Sequence, residues 1–289
     1  MRVLVVDGGG SKTRAVVFED EKRIFEGFAG PSNPTVVGVD GALRSIEKAL
    51  GNFKEFDVAV LGIAGVGFSK ELRESIESDF KERFKVGKIL ILSDVHLCTV
   101  GSLGGKDGIV VIAGTGSVVV GYKEGEFHRV GGWGHILGDE GSGYRISLDS
   151  FRYALMYFEG RERRSILIDK LEERFGIESF EDVLRLIYVE KLEKNEIASF
   201  APYLIEAVSE GDEIARKILT SNLEKLSEGV FYLSRKLDVS KVVGFGGLFD
   251  SEIYRETFER ILSSGGLKLE KAVGTPIDGG LIVAKEVLR

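Results

Sequence analysis

The chain has little of several residue types. Its 289 residues include one cysteine, Cys98, and they contain no glutamine and only four asparagines. A single cysteine excludes an intramolecular disulfide and any metal site built from cysteines of one chain. Low amide content with abundant Lys, Glu and Arg is typical of thermophile proteins, because it favours surface ion-pair networks.

Long apolar runs and a basic stripe are also missing. No apolar run approaches the roughly 20 residues that a membrane span requires, and the first residues enter a strand without the pattern of a signal peptide. The net charge is −7, with 39 basic residues spread among 46 acidic ones. We therefore expect a cytoplasmic protein that binds neither nucleic acid nor membrane.

Two glycine-rich turns have similar surroundings. The segments RVLVVDGGGSKTRAVVF (2–18) and IVVIAGTGSVVVGY (109–122) each run from an apolar strand through a tight turn into another strand. The first lacks the third glycine and the following helix of a dinucleotide fingerprint, and Lys12 does not follow a glycine as in a P-loop. One such turn alone is an ordinary hairpin. The matched pair predicts a cleft in which backbone N–H groups hold a polyphosphate from both sides.

The rest of the chain alternates strands and helices. Its length favours two domains, and each half opens with a three-strand meander followed by connecting helices, which predicts mixed sheets with helices on both faces. The Gly-rich stretch Gly101–Asp107 is the predicted domain boundary, because it has few side chains that could pack in a core. A helical insertion is expected from about 141 to 237. The other predicted helices are 40–50, 69–84, 251–263 and 277–288.

Five motifs occur in an order that resembles a known superfamily. They are DGGGSKT (7–13), SD (93–94), AGTGS (113–117), GGWGHILGDEGSGY (131–144) and GFGG (244–247). They resemble the actin-like ATPase superfamily of sugar kinases, and more narrowly the N-acetylglucosamine kinase and BadF/BadG/BcrA/BcrD ATPase group. The resemblance implies an α/β fold of two RNase H-like domains, 1–104 and 105–289. Their mixed sheets would flank a central nucleotide and substrate cleft, and the last helix could pack back on the first domain.

The resemblance implies ATP and Mg²⁺ as cofactors. Asp7 would hold Mg²⁺ through water, because Mg²⁺ dehydrates reluctantly and shares carboxylates with substrate phosphates. A competing interpretation is that Asp7 stabilises its own turn by a side-chain hydrogen bond. In the same way, Lys12 could be a solvated turn lysine, and Gly246 could belong to a plain strand–helix turn. The residues implied to bind the nucleotide are Gly9, Gly10, Ser11, Lys12, Thr13, Gly114, Thr115, Gly116, Ser117, Gly246 and Gly247.

Asp94 is the candidate catalytic base. Phosphoryl transfer to a hydroxyl needs positioning, charge neutralisation and an acceptor for the hydroxyl proton, and a carboxylate at the end of a strand can be that acceptor. The competing interpretation is that Asp94 caps the helix that follows it. The resemblance places the catalytic aspartate of sugar kinases at this position, which favours the base.

The segment Gly131–Tyr144 is predicted to bind the sugar. Trp133 is the only tryptophan, and it stands between glycines, where its ring can lie on a sugar face. A lone tryptophan is more often part of a core. Asn33 is otherwise a turn residue before a proline. The resemblance implies sugar contacts by Asn33, Asp94, Gly132, Trp133, Gly134 and Asp139. His135 and Glu140 lie nearby in the sequence, and for each of them a surface or supporting role is expected.

The predicted function is transfer of the γ-phosphoryl group of Mg-ATP to a hydroxyl of a hexose or hexosamine, by a chain expected to form a homodimer. Val118 stands where N-acetylglucosamine kinases place Asn after GTGS, so glucose, glucosamine and N-acetylglucosamine stay open. The second candidate function is a BadF-type ATPase or ATP-binding regulator that acts on a protein partner. Related activators hold a [4Fe–4S] cluster between two subunits, and Cys98 alone supplies too few thiolates for one. This second candidate is therefore cluster-free.

Overall fold

The computed structural model describes residues 1–67 and 69–288, whose strands form two five-stranded mixed sheets. The chain divides into two compact units. Unit 1 comprises Met1–Lys106 and Ala272–Arg289, and unit 2 comprises Asp107–Lys271. The domain division predicted from the sequence, 1–104 and 105–289, stays a prediction.

Unit 1 combines a strand meander with two further parallel strands. Its strands are β1 (Arg2–Gly8), β2 (Thr13–Glu19), β3 (Lys22–Ala29), β4 (Glu55–Ile63) and β5 (Lys85–Leu92). Its helices are α1 (Pro34–Leu50), α2 (Lys70–Arg83), α3 (Asp94–Leu103) and, from the far end of the chain, α11 (Pro276–Val287). The sheet order is β3-β2-β1-β4-β5, with β1, β4 and β5 parallel. The carboxyl ends of these three strands therefore share one edge of the sheet.

Successive residues of β1 face opposite helical layers. Leu4 and Val6 belong to a buried cluster that also contains residues of α1 and α2. Val5 points the other way, toward α11, where a Cβ at Gly280 would overlap the Val5 side chain. Because both faces of the strand are covered, its side chains are apolar almost throughout instead of alternating with polar ones.

Helix α1 begins earlier than the predicted 40–50. It starts at Pro34, because the Asn33 side chain caps it by accepting the Thr35 N–H, and proline suits the first helical position. Gly38 has a φ of 71° and interrupts the helix before the predicted stretch. The residues that start the helix, Asn33 and Pro34, are also typical of a turn, and the predicted helix therefore began too late.

The stretch Gly101–Asp107 is more tightly packed at its start than predicted. Residues 101–103 are buried in the last turn of α3, against α11. A Cβ at Gly101 would overlap the carbonyl oxygen of Thr275, and one at Gly279 would overlap that of Leu97. The expectation of little packing is therefore wrong at these positions, because glycine lets the backbones of α3 and α11 meet directly.

Unit 2 repeats the strand arrangement of unit 1. Its strands are β6 (Gly108–Ala113), β7 (Ser117–Lys123), β8 (Glu126–Val130), β9 (Lys241–Phe245) and β10 (Lys268–Lys271). Their order is β10-β9-β6-β7-β8. In both units the first strand is central, with the second and third strands on one side of it and the fourth and fifth on the other. β6 and β9 are parallel neighbours, so their carboxyl ends meet at one edge.

The helices of unit 2 lie mostly within the predicted insertion. They are α4 (Gly143–Phe158), α5 (Ile166–Phe175), α6 (Phe180–Leu184), α7 (Lys194–Ala198), α8 (Ala201–Ser209), α9 (Glu213–Leu237) and α10 (Glu252–Ser264), with a π-helical segment Arg185–Val189 and a 3-10 turn Gly247–Asp250. Helix α9 packs on β7 and β8, where Gly229 contacts Val130 and Val119. In the described ranges, no helix has both the length and the apolar character needed to cross a membrane.

The variant Gly279→Ala should be less stable than the wild type by about 1–3 kcal/mol, because the added methyl forces α11 away from α3. The better helix propensity of Ala recovers at most about 1 kcal/mol. Urea unfolding followed by circular dichroism measures the difference. Gly30→Ala is the matched control, because Gly30 is exposed and its added Cβ would have nothing within 4 Å. Equal stability of the two variants would contradict the close helix contact.

Candidate active site

Two carboxylates lie at the shared strand edge of unit 1. Asp7 is the next-to-last residue of β1, and Asp94 follows β5 as the first residue of α3. Burial, and then the charge of Asp94, raise the pKa of Asp7 to about 6, against the opposing effect of Arg14 and Lys12. The two acidic groups are thus near enough to repel each other.

Ser93, and not Asp94, caps helix α3. The Ser93 hydroxyl accepts the His96 N–H at 3.1 Å, whereas Asp94 Oδ1 accepts the N–H of the next residue, Val95, at 2.9 Å. The interpretation of Asp94 as the N-cap is therefore wrong. Its carboxylate lies in the first turn, where the helix dipole favours negative charge.

The first glycine turn is closed by backbone groups. The Gly9 N–H donates to the Lys12 carbonyl at 2.9 Å. Asp7 accepts no hydrogen bond from the described residues. The interpretation in which its side chain stabilises this turn is therefore wrong. Gly10 borders open space, and Ser11 and Lys12 are exposed. The apex of the turn is therefore accessible to an anion.

Asp7 offers a carboxylate that suits Mg²⁺, with the charge of Asp94 nearby. Among the described residues there is no cluster of three or more His, Cys, Asp or Glu side chains placed to hold a metal. Mg²⁺ rarely needs such a cage, because it uses one or two carboxylates and completes its shell with water and phosphate oxygens. A cation here would also offset the repulsion between the two carboxylates. The residues present therefore fit this ion.

The predicted nucleotide-binding segments of unit 2 are neighbours. The turn Gly114–Ser117 follows β6, and Gly246 and Gly247 follow the parallel strand β9. Gly246 has a φ of 106°, and a Cβ there would overlap the Ala113 carbonyl oxygen. This close approach requires glycine. Gly114 and Gly247 border open space, which leaves their backbone accessible.

The start of helix α4 fixes the second glycine turn. The N–H groups of Gly143 and Tyr144 donate to the carbonyls of Gly114 and Thr115 at 2.8 and 3.2 Å. Within the turn, the Gly114 N–H donates to the Gly116 carbonyl at 2.9 Å. The turn is therefore preorganised before any ligand binds.

Two hydroxyls predicted to contact phosphate donate hydrogen bonds to backbone carbonyls instead. Thr13 and Ser117 are buried, and they donate to the carbonyls of Gly30 at 2.7 Å and Glu140 at 2.6 Å. These bonds hold each turn to a neighbouring segment. A direct role in phosphate binding stays a prediction for both residues.

The first half of the predicted sugar segment is open to solvent. The Trp133 side chain is 56% exposed, so the interpretation as a core tryptophan is wrong. The Arg129 guanidinium lies 4.9 Å from the centroid of the Trp133 ring and donates to the carbonyls of Gly131 and Gly132. It thereby orients the loop before Gly134. Sequence reasoning missed Arg129, because an arginine on a polar strand has no distinguishing pattern.

The second half of this segment is anchored. Asp139 is only 3% exposed, and its Oδ2 accepts a hydrogen bond from Lys194 Nζ at 2.7 Å. The Gly141 carbonyl accepts the buried Tyr254 hydroxyl at 2.7 Å. Sequence reasoning missed Lys194 as well, since KLEKNE around it resembles a solvated charged stretch.

Asn33 has the capping role that its turn-like surroundings indicate. Its Oδ1 accepts from the Thr35 N–H and hydroxyl at 3.0 and 2.8 Å. It lies against Gly65, just after β4, so it belongs to the same edge of unit 1 as Asp7 and Asp94. A sugar contact through its amide group stays a prediction.

In magnesium-free buffer, Asp7→Asn should stabilise the protein above about pH 6 but not near pH 4. The folded-state pKa of Asp7 is about 6, above the ordinary 3.8, so the stability of the wild type falls as the pH rises through this window. Asn carries no charge to desolvate. The variant should therefore gain roughly 1–2 kcal/mol relative to the wild type, allowing for partial solvent exposure. Urea unfolding at several pH values measures this gain, and a difference that is constant with pH would contradict the assignment.

Comparison with known proteins identifies close relatives in sequence. An N-acetylmuramic acid/N-acetylglucosamine kinase of Clostridium acetobutylicum is 35% identical over 234 residues, which cover 78% of this chain and 76% of that protein. An N-acetyl-D-glucosamine kinase of Dictyostelium discoideum is 28% identical over 261 residues, which cover 82% and 80%.

The fold and the family are both established by comparison. The crystal structure of a Chromobacterium violaceum protein aligns with 98% of each chain at a TM-score of 0.77 and 21% identity. This match and the two repeated mixed sheets confirm the predicted α/β fold of RNase H-like, actin-like ATPase units. The sequence pattern of one family covers residues 4–284. The chain therefore belongs to the BadF/BadG/BcrA/BcrD ATPase family.

Proposed function

We propose that this protein is an ATP-dependent sugar kinase, which transfers the γ-phosphoryl group of Mg-ATP to a hydroxyl of a hexosamine or hexose. The observation that carries the proposal is the arrangement at the end of β5, where Ser93 caps α3 and Asp94 is placed beside Asp7. Two relatives that are kinases of N-acetylated sugars support it.

In the proposed reaction, a sugar oxygen forms a bond to the γ-phosphorus while the bond from phosphorus to the ADP oxygen breaks. Asp94 accepts the proton that the sugar hydroxyl loses. Asp7 would hold Mg²⁺ through water, and the ion would neutralise phosphate charge when bound. The two glycine turns would bind phosphate oxygens through backbone N–H groups, which fixes the γ-phosphorus for attack.

An amino sugar is the preferred substrate class in this proposal. The named relatives act on N-acetylglucosamine, and one of them also on N-acetylmuramic acid. Val118 packs beneath Gly132 of the sugar segment, so an apolar side chain stands where a polar contact was expected. Glucose and glucosamine are therefore tested beside N-acetylglucosamine. We also propose that the protein requires Mg²⁺, forms a homodimer, comes from a thermophile and is cytoplasmic.

The second candidate function, an ATPase that acts on a protein partner, is less well supported. Cys98 is buried in α3, and burial raises the pKa of its thiol to about 12. Such a thiol is a poor ligand for an iron–sulfur cluster, because ligation requires an accessible thiolate. An exposed aromatic ring within the glycine segment is better explained by a sugar, whose apolar face can lie on it.

Release of ADP from Mg-ATP should be strongly stimulated by at least one sugar. The panel is N-acetylglucosamine, glucosamine, glucose, mannose and no sugar, assayed at elevated temperature. Stimulation follows from a site in which the sugar hydroxyl is the intended nucleophile and water is a poor substitute. Equal ADP release in every tube would overturn the kinase in favour of an ATPase with a protein partner.

Asp94→Asn should reduce sugar-dependent turnover by about 100-fold or more, because the amide cannot accept the hydroxyl proton. Affinity for ATP without sugar should change little. Ser93→Ala is the matched control, since it removes the α3 cap at a cost of about 1 kcal/mol but leaves the carboxylate in place. Similar losses of turnover in both variants would mean that Asp94 acts through the helix and not as the base.

A further inference from the structure

Asp139 and Lys194 form a partly buried ion pair in unit 2. Lys194 Nζ donates to Asp139 Oδ2 at 2.7 Å, and the two side chains are 32% and 4% exposed, with Lys194 the more exposed. The other carboxylate oxygen, Oδ1, accepts no hydrogen bond from the described part of the chain. One oxygen is thus held by the protein, and the other remains for a ligand.

The pair rests directly on the second glycine turn. A Cβ at Gly116 would lie 2.9 Å from Asp139 Oδ2 and 3.1 Å from Lys194 Nζ. The first distance is too short for a real Cβ contact and the second is tight, so the missing side chain at Gly116 makes room for the pair. The sugar segment and the turn therefore meet at these charged atoms.

The backbone of Lys194 is anchored without help from the ion pair. Helix α7 begins at Lys194 with a capping box, in which the Glu193 N–H donates to Glu196 Oε2 at 2.7 Å. The other end of α7 packs on Gly143, since a Cβ there would lie 3.4 Å from the Ala198 carbonyl oxygen. Because Gly143 also holds the glycine turn, the backbone of α7 is anchored next to that turn.

We propose that Lys194 is a positioning residue for sugar binding, an inference that rests on the proposed kinase function. A buried carboxylate without a partner is costly, and it relaxes toward water or becomes protonated. The Lys194 ammonium pairs with Asp139 and holds Oδ2, which directs Oδ1 to a sugar hydroxyl. Lys194 itself need not touch the sugar. Its effect should therefore appear in sugar affinity and not in ATP affinity.

The test uses Lys194→Met in the full chain, with N-acetylglucosamine as the probe. Trp133 is the only tryptophan and lies in the sugar segment, so its fluorescence reports binding of the sugar without turnover. We expect the Kd and KM for the sugar to rise about 10- to 100-fold, with the KM for ATP within about twofold of the wild type. Lys194→Arg keeps the cation and should recover much of the sugar affinity.

Lys170→Met is the matched control. Lys170 pairs with Glu206 and Glu210 in the same unit, and its side chain is 13% exposed. Its loss should leave the sugar KM unchanged. An unchanged sugar KM in Lys194→Met, or a rise in the KM for ATP alone, would overturn the positioning role. A wild type that shows neither sugar binding nor sugar stimulation would instead overturn the proposed function, and this inference with it.

A double variant covers the case in which Lys194→Met does not fold. Asp139→Asn with Lys194→Met removes both charges and leaves no unpaired buried ion. If Lys194 acts only through the carboxylate, this variant should bind the sugar no more weakly than Asp139→Asn alone. A further loss of sugar affinity in the double variant would show that Lys194 acts independently, which contradicts the proposal.

Discussion

The structure depends on contacts in which one backbone touches another without an intervening side chain. In unit 1, Gly101 and Gly279 allow α3 and α11 to meet, which supports the helix that carries Asp94. In unit 2, Gly143 lies between the second glycine turn and helix α7. A Cβ at such positions would push apart elements whose polar atoms must be placed to within a fraction of an ångström. Glycine therefore sets the geometry of both candidate sites at the cost of conformational entropy.

The sugar segment combines a fixed part with an open part. Asp139 is anchored by Lys194, and Gly141 by the Tyr254 hydroxyl, whereas Trp133 and the two apolar residues Ile136 and Leu137 are mostly exposed. Anchoring keeps the carboxylate in one orientation, which lowers the entropy lost on binding. Covering the exposed apolar side chains with a ligand removes apolar surface from water, which contributes favourable binding free energy. Orientation and driving force thus come from different parts of one segment.

Local patterns allowed most of the fold to be predicted, and long-range contacts limited the rest. The strands and glycine turns follow from short apolar runs with turn residues between them, and the likeness of the two halves follows from the repeated turn and strand meander. The start of α1 was missed because Asn33 and Pro34 also favour a turn. The ion pair of Asp139 with Lys194 joins residues 55 apart in sequence, and no periodicity or motif marks such a contact. The role of Ser93 as the cap of α3 required the hydrogen bonds themselves.

Unit 1 is assembled from two segments that flank unit 2 in the sequence, so it cannot be completed on the ribosome before unit 2 has been made. Helix α3 precedes unit 2 in the sequence, whereas its partner α11 follows unit 2. All of unit 2 is translated between them. The glycine face of the helix that presents Asp94 therefore stays uncovered until unit 2 and then α11 have been made. A chain that stops before α11 would contain every predicted ligand-binding residue and still lack the support of its candidate base.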